Sequence, residues 1–298
     1  MDIRLEGLKY LNNKYPILGK AAFQGRDSAY LEYTSRYLEQ VQLETRLSIE
    51  SIIDAYAKTC FEFMKLQNKF LKTGQYAATS QKSLESNLYA HVEAMEPYLL
   101  GLLSTYLYWE NHSKIFDFYC EQFSLIAEQV AEAKTMEIGT GHGLFASYLL
   151  EKNPSMTYLG IDISLSSLNF SRNLLNVKFP HREIDLVQQD ATSSDFSYIK
   201  KYDFVICCEV LEHVEEPVKL LQNIRSSMNK NGKAFITTVS NLEAVDHIFL
   251  FKSSEEIRNL IKSTGFTILE ERVFNLSSST SQTEQSNYAA VISPTPIF

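Results

Sequence analysis

Cysteine is scarce in this chain: there are four in 298 residues, and none sits in a C-x-x-C pair. That usage argues against a disulfide framework or a structural zinc site and fits a reducing cytoplasm. Long apolar runs are missing as well. The longest are short stretches such as Tyr98–Leu103, far from the roughly 20 residues of a membrane span. The opening MDIRLEGLKY lacks the apolar stretch of a signal peptide. Basic residues are outnumbered, with 28 Lys and Arg against 36 Asp and Glu for a net charge of −8, and the longest basic run is the pair Lys200-Lys201. Nucleic-acid binders present a basic stripe, so no nucleic-acid partner is expected.

What is present is a chain with two rhythms. Ser28–Leu71 holds no proline or glycine and carries apolar residues at helical spacing, with Gly74 closing it. A second helical block, Leu84–Val130, is broken near Glu96-Pro97, with Pro97 placed in a first helical turn. It continues as Tyr98–Trp109 and Ser113–Val130, and Asn111-His112-Ser113 reads as junction and N-cap. Beyond about residue 131, short apolar runs alternate with helical stretches. Strands are expected at Lys134–Ile138, Thr157–Asp162, Ile184–Gln188, Tyr202–Cys207 and Lys233–Val239, and two late ones near Phe266–Val273 and Asn287–Ile292. Helices are expected at Leu144–Lys152, Leu165–Lys178, Pro217–Met228 and Ser254–Thr264. Such alternation predicts an α/β fold with a parallel sheet covered on both faces. The division expected is an all-α region over 1–130 and an α/β domain over 131–298.

The first strand of the second half runs into Glu137-Ile-Gly139-Thr140-Gly141-His142-Gly143 and then a helix. Glycines let the backbone turn sharply and approach a ligand closely. The second strand ends in an acid, Asp162, at the roughly 20-residue spacing of a carboxylate that binds ribose hydroxyls. A nicotinamide loop reads G-x-G-x-x-G and seats a diphosphate. Here the pattern is G-x-G-x-G, preceded by an acid, and a carboxylate at that place suits an ammonium or sulfonium ligand.

Four blocks in this order, MEIGTGHG at 136–143, YLGIDIS at 158–164, QQDAT at 188–192 and YDFVICCEVLEHV at 202–214, resemble the class I S-adenosylmethionine-dependent methyltransferases. A weaker fifth block is NGKAFITTVSN at 231–241. The resemblance implies a Rossmann-like, seven-stranded sheet and S-adenosylmethionine as cofactor. It implies that Glu137, Gly139, Thr140, Gly141, His142 and Gly143 hold the amino-acid part. Asp162 would hold the ribose and Ile163 would pack on the adenine. Asp190 and Ala191 would meet the adenine edge, and Cys208 and Glu209 would line the cofactor. His142 departs from the Ser or Thr of many relatives and is read as a tolerated loop residue.

His213 and His247 follow the fourth and fifth strands, at the sheet edge where ligands of open α/β sheets bind, and are the candidate bases. Certain quinone and RNA-end O-methyltransferases bind a divalent metal through an E-x-x-E-H cluster like Glu209, Glu212, His213 with His247. Similar segments occur in metal-free relatives, and no metal is the expectation here. The aromatic helical half (Tyr89, Tyr98, Tyr106, Trp109, Phe116, Tyr119) resembles the caps of natural-product and quinone-type methyltransferases, which implies a possible homodimer through these helices. Together these readings predict a cytoplasmic enzyme that methylates a small molecule or short peptide, on oxygen by preference. The alternatives are C- or N-methylation and a non-catalytic partner protein of the same fold.

Overall fold

The computed structural model describes residues 2–23, 29–78, 80–84, 89, 91–196, 201–276 and 284–296. Among the described residues, eight α-helical segments precede the sheet: α1 (Ile3–Lys14), α2 (Pro16–Ala21), α3 (Ala29–Thr45), α4 (Ile49–Thr73), α5 (Gln81–Leu84), α6 (Val92–Tyr108), α7 (Glu110–Phe118) and α8 (Leu125–Glu128), with a π-helical stretch over Tyr119–Ser124. The uninterrupted 28–71 helix is not formed, and its first residue, Ser28, lies outside the described residues. Arg46 turns left-handed at φ 56°, and Ser48 accepts the Ser51 amide at 3.2 Å to start α4. The break is a serine cap rather than a proline or glycine, which is why apolar spacing passed over it. Gly74 closes α4 at φ 69°, the left-handed conformation that glycine tolerates best.

Pro97 lies inside α6, not in a first turn. Its missing N–H removes one hydrogen bond, while Leu99, Leu100 and Leu103 of the same helix are buried, and packing outweighs the local cost. The junction after α6 is Trp109, and no side chain caps α7 there. Asn111 is already helical and bonds across to Asn287. Residues 85–88 and 90 of the expected second helical block lie outside the described residues.

The second half follows the expected order closely. Strands β1 (Lys134–Ile138), β2 (Thr157–Asp162), β3 (Asp185–Gln188), β4 (Tyr202–Cys208), β5 (Met228–Ser240), β6 (Phe266–Asn275) and β7 (Ser286–Pro294) alternate with α9 (Leu144–Lys152), α10 (Leu165–Lys178), α11 (Pro217–Ser227) and α12 (Ser254–Ser263). They form one Rossmann-like, seven-stranded sheet in the order β3-β2-β1-β4-β5-β7-β6. β7 runs antiparallel to both of its neighbours, so the sheet is mixed. The strand order reverses between β1 and β4, the switch point where open α/β sheets bind ligands.

Alternating side chains split the sheet between two cores. Phe204, Ile206, Phe235, Ala289 and Val291 face the N-terminal helices, α9 and α10. Val205, Cys207, Ala234, Ile236, Ala290 and Ile292 pack with residues of α11 and α12. Tyr119 and Phe123 of the π-helical stretch stand 5.2 Å from Phe235 and 5.6 Å from Phe204, centroid to centroid. The helical half thus shares one continuous core with the sheet and roofs its carboxyl edge. No helix among the described residues is long and apolar enough to cross a membrane.

Candidate active site

A cavity of about 420 Å³ opens at the carboxyl ends of β1, β2, β4 and β5, under α4, α6 and α7. Of the expected cofactor residues, Glu137, Gly139, Thr140, Gly141, His142, Asp162, Ile163, Asp190, Ala191, Cys208 and Glu209 all line it, as do His213 and His247. Gly143 does not. It turns the chain into α9 at φ 74°, where an added Cβ would meet Tyr37 Oη at 3.0 Å. Gly139 does require its glycine: at φ 75°, a Cβ would lie 2.6 Å from Val210 Cγ2.

Three carboxylates face this half of the cavity. Glu137 accepts a hydrogen bond from Tyr158 Oη, and burial pushes its carboxyl up to about 8 against that bond. Asp162 accepts the amides of Ser164 at 2.8 Å and Gly141 at 3.2 Å. Burial raises it to about 6, and those amides pull the other way. Asp162 therefore pins the glycine loop to the end of β2. Asp190 bonds the amide and hydroxyl of Thr192, both at 2.7 Å. His142 takes the Leu144 amide on Nδ1 at 3.3 Å, which leaves its proton on Nε2. Burial lowers it to about 4, so it is neutral.

The acceptor half is built by the loops after β4 and β5. Glu209 holds a left-handed φ of 52°, a costly conformation for a non-glycine residue and one that clusters at functional sites. Its amide is anchored by Thr237 Oγ1 at 2.9 Å. Glu212 is 0% exposed, and one of its oxygens accepts Thr238 Oγ1 at 2.7 Å. The other oxygen, like Glu209 Oε1, is buried without a hydrogen-bond partner. Burial raises both carboxyls, and the charge of Glu209 raises Glu212 further.

Two imidazoles complete the group. His213 Nδ1 lies 2.9 Å from the Asp246 carbonyl, and His247 Nδ1 lies 2.7 Å from that of Leu242. A carbonyl can only accept, so both rings carry a proton on Nδ1, and the neutral His247 presents a bare Nε2. His213 Nε2 is 4.0 Å from Glu212 Oε1. One ligand atom each from Glu212, His213 and His247 falls within 4.8 Å of the others. Burial first, and His213 second, hold His247 down at about 4.

Lone pairs without donors thus converge on one spot, which suits a cation.

The helical half contributes tyrosines to the site. Asp246 accepts Tyr98 Oη at 2.8 Å and Tyr89 Oη at 3.2 Å. Tyr106 is 4% exposed, lines the cavity, and has no hydrogen-bond partner for its hydroxyl among the described residues. Of the helical aromatics singled out in the sequence, Tyr89, Tyr98, Tyr106 and Trp109 line the cavity, whereas Phe116 and Tyr119 belong to the core.

The profile of the methyltransferase domain family matches residues 111–271. The ubiquinone biosynthesis O-methyltransferase of Coxiella burnetii is 26% identical over 132 residues, covering 42% of this chain and 51% of that protein. The chain therefore spans about half the length of the curated relatives it matches. The mitomycin 7-O-methyltransferase MmcR superposes with a TM-score of 0.55 at 14% identity, over 90% of this chain and 76% of that one. The pyocyanin biosynthetic protein PhzM gives 0.52 at 16% identity, over 82% and 72%. At these identities the two structures establish a common fold.

Proposed function

The chain belongs to the methyltransferase domain family, and from that premise we propose that it transfers the methyl group of S-adenosylmethionine to a hydroxyl oxygen of a small molecule. The observation that carries this reading is the convergence of Glu212, His213 and His247, with Glu209 lining the cavity beside them. The relatives named for O-methylation are consistent with it.

The residues present fit the cofactor. Glu137 is a buried carboxylate at the glycine loop and would take the ammonium of the methionyl part. Asp162 would take the ribose hydroxyls and Asp190 the adenine edge, with Ile163 and Ala191 packing on the ring. Methyl transfer breaks the S–CH₃ bond and forms O–CH₃, and the sulfonium leaves as a neutral thioether. The cofactor is already activated, so the protein's task is to align the acceptor and to remove its proton.

Glu212, His213 and His247 would hold a divalent cation through the unpartnered Glu212 oxygen and the two imidazoles. A bound cation lowers the pKa of a coordinated hydroxyl and orients it. Glu209, raised by burial, is the group placed to take the released proton.

A second reading is favoured by one contact: Asp246 Oδ1 lies 3.5 Å from His213 Nδ1, as in a His–Asp base pair. In that reading His213 Nε2 removes the proton and no metal is needed.

One experiment separates the readings. The chain is first titrated with S-adenosylhomocysteine, then assayed on catechol with S-adenosylmethionine, before and after exhaustive chelation. Turnover lost on chelation and restored by Mg²⁺ or Mn²⁺ supports the cation site. Turnover unchanged by chelation supports His213 alone. Binding of S-adenosylhomocysteine without turnover of catechol or its congeners overturns the assignment to oxygen.

A further inference from the structure

The roof and far end of the cavity carry a second polar group that methyl transfer leaves without a task. Asn111 and His112, in the first turn of α7, both line the cavity. Asn111 Nδ2 donates to Asn287 Oδ1 at 2.7 Å. Asn287 stands opposite Val239 in the β5–β7 register. The pair therefore sits over β5 and β7, on the far side of β4 from the glycine loop.

His112 Nδ1 is 2.6 Å from Thr105 Oγ1, and that hydroxyl donates to the Leu102 carbonyl at 2.5 Å. A hydroxyl has one hydrogen, so the imidazole must be the donor and its Nε2 is a bare acceptor. Burial pushes His112 down to about 3.

Counting donors and acceptors shows what is left over. The amide–amide bond uses one hydrogen of Asn111 and the oxygen of Asn287. The Asn287 amino group, the Asn111 oxygen and His112 Nε2 remain without partners among the described residues. None of the three is sealed off in the protein interior, so each opens on the cavity, although Asn287 is only 1% exposed. A buried donor and two acceptors left open are costly unless a ligand engages them. The walls beside them are apolar: Trp109 stands 5.0 Å from His112 and 5.4 Å from Phe63, ring centre to ring centre.

We propose that Asn111, His112 and Asn287 form an anchoring subsite for a second hydroxyl of the acceptor, remote from the one that is methylated. The inference rests on the methyl-transfer reading of this cavity. A hydroxyl fits because it can accept from Asn287 while donating to Asn111 or His112. A methyl or methoxy group leaves the donor or both acceptors open. With aromatic and leucine walls between the two polar ends, the acceptor class is a polyhydroxylated aromatic ring.

The test uses the whole chain loaded with S-adenosylhomocysteine and two probes that differ by one oxygen, methylcatechol and its hydroxymethyl analogue. The wild type is expected to bind the hydroxymethyl compound roughly tenfold more tightly, the scale of one well-formed hydrogen bond. His112→Phe and Asn111→Leu should each bring the two affinities to within about twofold of one another, whereas His112→Gln, which keeps an acceptor, should retain most of the preference. S-adenosylhomocysteine titration checks the fold of each variant, and if Asn111→Leu fails that check, the His112 pair carries the test. Equal binding of the two probes by the wild type, or a preference that survives in His112→Phe, overturns the subsite. Failure of both catechols to bind the loaded chain overturns the acceptor reading and the subsite with it.

Discussion

Tyr76 and His247 meet at one atom, the carbonyl oxygen of Leu242, which accepts Tyr76 Oη and His247 Nδ1 at 2.7 Å each. The loop that carries His247 is fastened to the helical half at neighbouring points too. Gln67 bonds the Asn241 carbonyl at 3.0 Å and the Glu243 amide at 2.7 Å, and Glu243 Oε1 accepts the Ala77 amide at 2.6 Å. The end of α4 and the segment after it thereby set the height of the imidazole over the cavity. Tyr76→Phe removes one of these bonds and no group that touches cofactor. It is expected to lower kcat on catechol about fivefold, the scale of one net hydrogen bond. S-adenosylhomocysteine affinity should not move. Equal losses in both would place Tyr76 in general stability instead.

Glu137 gives a pH dependence with a definite sign. Its carboxyl is pushed up to about 8, so at pH 6 the ligand-free protein holds the proton. An ammonium group needs the ionised form, and binding must expel that proton. S-adenosylhomocysteine affinity is therefore expected to rise with pH, by up to about tenfold per unit, and to level off above about 8. Glu137→Gln should flatten the profile. The same shift means that the ligand-free fold loses stability as pH climbs from the ordinary 4.5 toward about 8. Calorimetric titration across that range checks the first expectation, and thermal unfolding with and without ligand checks the second.

Asp162 holds two backbone amides and is the residue proposed to take the ribose. Asp162→Ala loses charge-assisted hydrogen bonds worth about 1.5–3 kcal/mol each. The dissociation constant for S-adenosylhomocysteine is expected to rise roughly 10- to 100-fold. An unchanged constant would show that the carboxylate only holds the loop.

Much of this site was legible because its residues lie at strand ends, where period-two apolar runs stop and a glycine or an acid follows. Glu137, Asp162 and His213 stand at such strand ends, Glu209 came from the family resemblance, and β1, β2, α9 and α10 fell where the pattern put them. The helical half was harder to read. Arg46 and Ser48 break a helix without proline or glycine, Pro97 sits inside one, and Tyr119–Ser124 winds as a π-helix. The first is a local serine cap that apolar spacing does not register, and Pro97 is a case where packing overrides local preference. His112, Asn111 and Asn287 were invisible as a group, because a site assembled from α7 and β7 leaves no spacing in the sequence.

Gly139 offers a test of backbone against side chain. Alanine there would place Cβ 2.6 Å from Val210 Cγ2 and hold a non-glycine residue at φ 75°. Gly139→Ala is expected to weaken S-adenosylhomocysteine binding at least tenfold. Adding Val210→Ala removes the clash and leaves the left-handed strain of about 1–2 kcal/mol, so recovery should be partial. Full recovery would assign the whole effect to Val210.

The shared core makes a prediction about the segment 131–298 on its own. In the whole chain Phe204, Phe235 and Val291 are covered in part by Tyr119, Phe123 and their neighbours. Removing residues 1–130 uncovers that apolar face of β4, β5 and β7 and opens the roof of the cavity. Large exposed apolar patches drive association. The isolated segment is expected to aggregate, or to lose cooperative unfolding, and to bind S-adenosylhomocysteine at least tenfold more weakly than the whole chain. Sedimentation, thermal unfolding and titration of the two proteins side by side decide it. A monomeric, cooperatively folded segment with full affinity would mean that the helical half serves the acceptor alone.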